Sequence, residues 1–282
     1  MSLGSQIVSS GGSILEAVVR SGGVQILRDG AQIDGVIVSS AGSQIVSEGG
    51  SASGTVVSSG GSQTVSSGGL ASGTIVSSGS VQTVVRGGVA FGPTVKGTQN
   101  VKDGAFAFNA GVKAVGVQIV SGYAQGTKIS SGGMLNVKSG GTASAGTVLA
   151  GGTAIVSSCA DLRACTVSSG GLLNLAGRAS GAVLRGGAVF SAIGAVLHGS
   201  NRIDAVKSAG GTLRLASGAS LTISGKALAR GLAVSASAGR FAFSGAGAWL
   251  KAVSLTKDTA MSFDIGKLRP GTITALTLGA KN

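Results

Sequence analysis

Apolar and polar residues alternate along this chain in short bursts, and the bursts return on a fixed count. Gln6, Gln25, Gln44, Gln63 and Gln82 stand 19 residues apart. Two positions after each comes an apolar residue: Val8, Leu27, Val46, Val65 and Val84. Five after each is a glycine (Gly11, Gly30, Gly49, Gly68, Gly87), and thirteen after each is a valine (Val19, Val38, Val57, Val76, Val95). Each unit therefore holds two short β segments, one around Gln-x-Val and one around Thr-Val-Val (55–57) or Thr-Ile-Val (74–76). Val, Ile and Thr suit a pleated backbone, and the Ser-Ser-Gly-Gly that follows suits a turn. Strands this short, with no helical period between them, exclude βαβ units. A 19-residue unit cannot bury its own apolar face, so the copies must stack. The pattern predicts an all-β parallel β-solenoid, with valines forming inward ladders on rungs about 4.8 Å apart.

After Gln82 the period loosens. Residues 99–117 read as an irregular rung or an insertion, and the pattern resumes at Gln118-Ile119-Val120. Asn136, Ile155 and Asn174, again 19 apart, read as later copies in which Asn replaces Gln. From about residue 177 the units are degenerate, as at Leu213-Arg214-Leu215 and Leu221-Thr222-Ile223. Residues 240–282 gather Phe241, Phe243, Trp249 and Phe263, which suits a cap over an open last rung. The expected organisation is regular repeats over 1–98, degenerate rungs of the same solenoid over 99–239, and a cap or cut edge over 240–282.

Composition narrows the alternatives. Of 282 residues 52 are Gly and two are Pro, so collagen is excluded. A hydrophobic fraction of 43% and a mean hydropathy of +0.46 argue against disorder. Aromatics at 3% are too few for an ordinary globular core, which a ladder of small side chains does not need. No run of about 20 apolar residues is present, so no transmembrane segment is expected. The start, Met1-Ser2-Leu3-Gly4, shows no basic and apolar secretory leader.

The unit Gly-Ser-Gln-Thr-Val-Ser-Ser-Gly-Gly-Leu-Ala-Ser-Gly-Thr-Ile-Val-Ser-Ser-Gly, residues 61–79, resembles the passenger repeat of self-associating autotransporter adhesins of the AIDA and antigen-43 type. The resemblance is close over 4–98, recognisable to about 176 and weak beyond. It implies a right-handed parallel β-helix of about 19-residue rungs, displayed on the cell surface, outer-membrane-attached or extracellular. It further implies a non-enzymatic protein without a cofactor, acting in homophilic self-association (autoaggregation, biofilm) and adhesion to host or bacterial surface glycans. Several such passengers carry heptose on repeat serines, added by a dedicated glycosyltransferase. Carried onto this chain, the candidate acceptors are Ser39, Ser40, Ser58, Ser59, Ser66, Ser67, Ser77 and Ser78, then Ser130, Ser131, Ser168 and Ser169. Serine also suits these turns for purely structural reasons. Residues 240–282 are too short for a membrane barrel. The expectation is thus an isolated passenger piece, an engineered chain, or a repeat protein exported by another route.

Other chemistry is thin. Cys159 and Cys165 have no His nearby to complete a zinc set. The pair reads as a local disulfide, in keeping with export, against the alternative of a reduced buried pair. His198 is the single histidine, and the nine acids are scattered. Asp29 and Asp34 share a rung but make weak grounds for a polysaccharide-active enzyme, the third reading. The net charge of +13 is uneven: residues 1–141 hold eight Lys or Arg against five acids, while 142–282 hold fourteen against four. Arg163, Arg178, Arg185, Arg202, Arg214 and Arg230, with Arg240, are spaced singly. They read as solvated turn residues or, if aligned on one face, as contacts for anionic polysaccharide or lipopolysaccharide, the second reading. Specific nucleic-acid binding is not expected, since neither clustered basic stripes nor aromatic stacking platforms accompany them.

Overall fold

Three short strands make up each regular rung. In the rung that begins at Ser62 they are Ser62–Val65, Leu70–Ser72 and Ile75–Val76. Alternation along each strand sends Gln63, Val65, Ala71 and Val76 inward, all buried, and turns Ser62, Thr64, Leu70 and Ile75 outward. Two residues, Gly73-Thr74, join the second strand to the third, and corners of four residues make the other joins. Gly68 sits there at φ +74°, and a Cβ on its neighbour Gly69 would lie 2.2 Å from the carbonyl oxygen of Val46 on the adjacent rung. The Ser-Ser-Gly-Gly pattern is therefore a requirement of stacking as well as of turning.

The protein is described by a computed structural model. It covers residues 4–204 without a break and, beyond them, 208–217, 219–224, 228–236, 240–244, 249–255, 260–263 and 276–278. Two compact units result, 1–136 with 140–143 and 137–139 with 144–282. Both are all-β and built of parallel strands stacked as a β-solenoid. In the first, every strand lies in register on its counterpart: Ser43–Val46 on Val24–Leu27, Ser62–Val65 on Ser43–Val46, Val81–Val84 on Ser62–Val65.

Gln6 to Gln82 form a column inside the solenoid, joined by side-chain hydrogen bonds. Each amide nitrogen donates to the amide oxygen one rung back: Gln25 to Gln6 at 2.8 Å, Gln44 to Gln25 at 3.0 Å, Gln63 to Gln44 at 2.6 Å and Gln82 to Gln63 at 2.6 Å. Threonine hydroxyls across the interior supply a second donor, Thr55 to Gln44 and Thr74 to Gln63. A primary amide stacks on itself because it carries donors and an acceptor together.

The column does not stop at Gln82. Gln99 donates to Gln82 and Gln118 to Gln99, both at 2.7 Å. Residues 99–117 are thus an ordinary rung, against the expectation of an irregular rung or insertion. The phase slips because the corner before Thr98 is two residues, Lys96-Gly97, where the corner at 77–80 has four. The later column is also corrected. Leu135, Ala154 and Leu173 occupy the buried second position of their four-residue strands, while Asn136, Ile155 and Asn174 occupy the outward third.

In the second unit the three-strand rung gives way to longer strands. Val189–His198 pairs with both Leu172–Leu175 and Arg178–Ser180, with a bulge between Ile193 and Ala195 where it meets Ser208–Leu215. Ser200, Ser220, Arg240 and Ala260 then stand opposite one another in 20-residue steps. The side chains of Phe241, Phe243, Trp249 and Phe263, expected to form a cap, lie outside the described residues.

Replacing Gln63 with Ala leaves the Gln82 amide and the Thr74 hydroxyl as buried donors without an acceptor. At about 1–3 kcal/mol for each unsatisfied group, Gln63→Ala should lower stability by about 2–6 kcal/mol, read as a lower denaturant midpoint. Gln32→Ala, at an exposed position, should change it by less than about 0.5 kcal/mol.

Candidate functional site

Outward positions of the strands form columns just as inward ones do. In the first unit one column runs Ser51, Leu70, Val89, Phe106, Tyr123, and its neighbour runs Ser53, Ser72, Phe91, Phe108, Gln125. Preceded by Gln32 and Asp34, both pass from serine to aromatic residues. Ring centroids lie 6.4 Å apart for Phe91–Phe108 and for the parallel pair Phe106–Phe108, and 6.3 Å for Phe106–Tyr123 and Phe108–Tyr123. Leu70 is 40% exposed, Phe91 49% and Phe106 41%. This cluster holds four of the chain's nine aromatic residues on a solvent-facing sheet. Sequence reasoning missed it, although the alternation Phe106-Ala107-Phe108 already places both rings on one side of a strand.

The candidate acceptor serines fall into two sets. Ser40, Ser59, Ser67, Ser78, Ser131 and Ser169 are exposed at the corners. The first residues of the same pairs, Ser39, Ser58, Ser66, Ser77, Ser130 and Ser168, are half-buried, and the Ser66 hydroxyl reaches back to the Val46 carbonyl at 3.4 Å.

Both cysteines are free, in place of the expected disulfide. Each has taken over a position of the repeat. Cys159 stands in a corner where Gly68 stands in the earlier repeat, exposed and at φ +60°. Cys165 precedes Thr166–Val167 as Thr74 precedes Ile75–Val76, and like Thr74 it points inward. One thiol faces solvent and the other the core. Burial pushes the Cys165 thiol up to about 12.

The arginines divide between two ladders. Arg178 lies opposite Asp161, Val196 opposite Arg178, and Arg214 opposite Val196. Arg163 belongs to the neighbouring column, which continues through Ser180 and His198. Arg202 sits in a different ladder, opposite Val183, and Arg185 follows the strand Val183–Leu184. The side chain of Arg230 lies outside the described residues.

The family described as "Adhesin of bacterial autotransporter system, probable stalk", AIDA, matches residues 34–80 and 44–100. That is the stretch where the glutamine column and serine corners are most regular. The repeats of that stretch match the stalk repeats of AIDA-type autotransporter adhesins. A solved structure is similar over more of the chain: the crystal structure of a TibC-catalyzed hyper-glycosylated TibA55-350 fragment is 27% identical, with a TM-score of 0.66 over 98% of this chain and 92% of that one. No curated protein matches. An autotransporter passenger of the AIDA type works at the cell surface or outside the cell. Among the described residues no helix is long and apolar enough to cross a membrane.

The cysteine arrangement sets an expectation for thiol chemistry. Only the thiolate reacts, so at pH 8 an alkylating reagent should modify Cys159 in the native protein and reach Cys165 only after denaturation. Intact mass should show one adduct, then two. A mass lighter by two hydrogens with no adduct would restore the disulfide.

Proposed function

We propose that the chain is a non-enzymatic surface adhesin passenger that associates with copies of itself through the aromatic face of its first unit. The observation that carries this reading is the exposed column pair centred on Phe91 and Phe106. Contiguous exposed apolar side chains on a polar surface mark an interaction site. A flat ladder presents the same surface on every copy, so two copies can meet face to face in an isologous contact. Charge favours this half of the chain: residues 1–141 carry a net +3, against +10 for 142–282, so copies meeting here repel little. Repetition along a surface array then adds weak contacts through multivalency.

The same reading takes the exposed corner serines as sites of glycosylation by a heptosyltransferase. The similarity to a hyper-glycosylated TibA fragment supports it, as does the exposure of one serine in each pair. With TibC and its sugar donor, peptide mapping should find modification at Ser40, Ser59, Ser67 and Ser78 ahead of Ser39, Ser58, Ser66 and Ser77. Modification confined to the half-buried set would overturn the assignment.

Self-association has its own test. Serine is what earlier rungs carry in both columns, at Ser51, Ser53 and Ser72, so Phe91→Ser with Phe106→Ser keeps the fold. The double variant should weaken self-association about tenfold or more, by sedimentation of the chain and by settling of cells displaying it. A variant that associates like the parent would remove the aromatic face. A parent chain that stays monomeric would remove self-association.

A further inference from the structure

The second unit holds a cleft that neither self-association nor the serine corners use. It has a volume of about 240 Å³ and is lined by Asp161, Leu162, Arg163, Arg178, Ser180 and His198 among others. Asp161 is mostly covered and anchors the arrangement. The Arg178 Nε donates to Asp161 Oδ1 at 2.8 Å and its Nη2 to Oδ2 at 3.3 Å, so both carboxylate oxygens hold one guanidinium in place. Arg163 makes a single contact with the same carboxylate, Nη2 to Oδ2 at 3.4 Å, and its side chain stays 61% exposed. Ser180 and His198 follow Arg163 in its column, placing a hydroxyl and an imidazole on the two next rungs.

We infer that this cleft binds the carboxylate of an acidic sugar, a uronate residue within a polysaccharide. Two guanidiniums against one carboxylate leave one net positive charge, which suits a monoanion better than a phosphate dianion. The guanidinium fork of Arg163 matches a planar carboxylate in two parallel hydrogen bonds. Ser180 and His198 offer partners for ring hydroxyls, a use that a bare inorganic anion would not have. The size fits a single sugar. At about 240 Å³ the cleft lies below the roughly 300–1,000 Å³ of pockets that enclose drug-sized ligands, so one ring seats while the polymer runs past. Arg214 stands three rungs beyond Arg163, about 14 Å along the stack. That exceeds a disaccharide, so only a longer oligosaccharide that seats one uronate at Arg163 reaches Arg214 with a further one. Asp161 is the positioning residue: it orients Arg178 and limits the local charge, making the cleft selective rather than merely basic. The site stands independently of self-association, because its residues all belong to the second unit.

The test uses the full chain and a hexasaccharide in which glucuronate alternates with N-acetylglucosamine, followed by titration calorimetry. The hexasaccharide should bind. Its carboxyl-reduced counterpart should bind at least tenfold more weakly, and inorganic phosphate at equal concentration should not displace it. Arg163→Gln should weaken binding about tenfold or more, since a charge-assisted pair is lost, with circular dichroism unchanged because the side chain is exposed. Arg214→Gln should weaken the hexasaccharide and leave a disaccharide of the same composition unaffected. Arg86→Gln, in the first unit, should change nothing. Equal binding of the carboxyl-reduced sugar, full displacement by phosphate, or an unaltered Arg163→Gln would each overturn the assignment.

Discussion

Backbone hydrogen bonds between rungs set the terms for everything else in this protein. Ser47 N–H donates to the Leu27 carbonyl, Ser66 to Val46 and Val85 to Val65, all within 2.8–2.9 Å. Pairing in this register places each side chain above its counterpart one rung away, so a residue type is tolerated only if it can stack on its own kind. Valine does so by interdigitating small branched surfaces. Glutamine does so because an amide donates on one side and accepts on the other. A carboxylate in that column would face another carboxylate in a low dielectric, at a cost no pairing offsets. The buried polar side chains among the described residues are accordingly Gln, Thr, Ser and Asn, never a charged one.

The same register turns any outward residue into an array. A single exposed phenylalanine on a globular surface is unremarked, but here Phe91 stacks on Phe108 and Phe106 on Tyr123, and a patch results. Serine at a corner becomes a column of hydroxyls. Opposite charges also align: Asp161 lies opposite Arg178, whereas a two-residue slip of the strand would set Arg163 there and oppose two like charges. Adhesion by a solenoid therefore needs no pocket shaped by distant loops. Substitution in two or three consecutive repeats is enough to write a binding surface onto the face.

How much of this is visible in the sequence depends on whether the rungs keep phase. Gln6 to Gln82 recur on a strict count, so the solenoid and its inward valines follow from spacing alone. Gln99 escapes the count because Lys96-Gly97 makes a corner two residues shorter, even though Thr98-Gln99-Asn100-Val101 has the pattern of Ser62-Gln63-Thr64-Val65. Asn136 and Asn174 mislead in the opposite way, keeping a spacing of 19 but lying one residue out of phase with the buried column. A one-residue shift in a strand exchanges core for solvent, and residue chemistry alone suggested Asn for Gln. The cysteines were read as a pair from their nearness in sequence, whereas alternation sends Cys165 inward and a corner leaves Cys159 out. Arg163 and Arg178, singly spaced in sequence, meet each other, Asp161 and His198 only through register.

The interior changes its means of holding register part-way along the chain. Where the first column carries Gln44 or Gln63, the facing position carries Thr55 or Thr74, whose hydroxyl bonds the amide oxygen. Where it carries Ala154 or Leu173, the corresponding positions are Cys165 and Ala182, both buried and apolar. The amide column runs without the hydroxyl where Gln25 faces Val36 and Gln99 faces Ala110, but a threonine facing an apolar column would be a buried donor without its acceptor. The two solutions differ in what they specify. A hydrogen-bonded column penalises a slip at every rung, since each displaced amide loses two bonds, while an apolar column of Leu and Ala accepts neighbours of similar size. The apolar rungs must then draw their register from the outside, from corner glycines, from the bulge at Ile193 and from the ion pair of Arg178 with Asp161. On this view the charges of the second unit serve alignment and recognition at once, and the cleft lies where the interior has ceased to fix the register by itself.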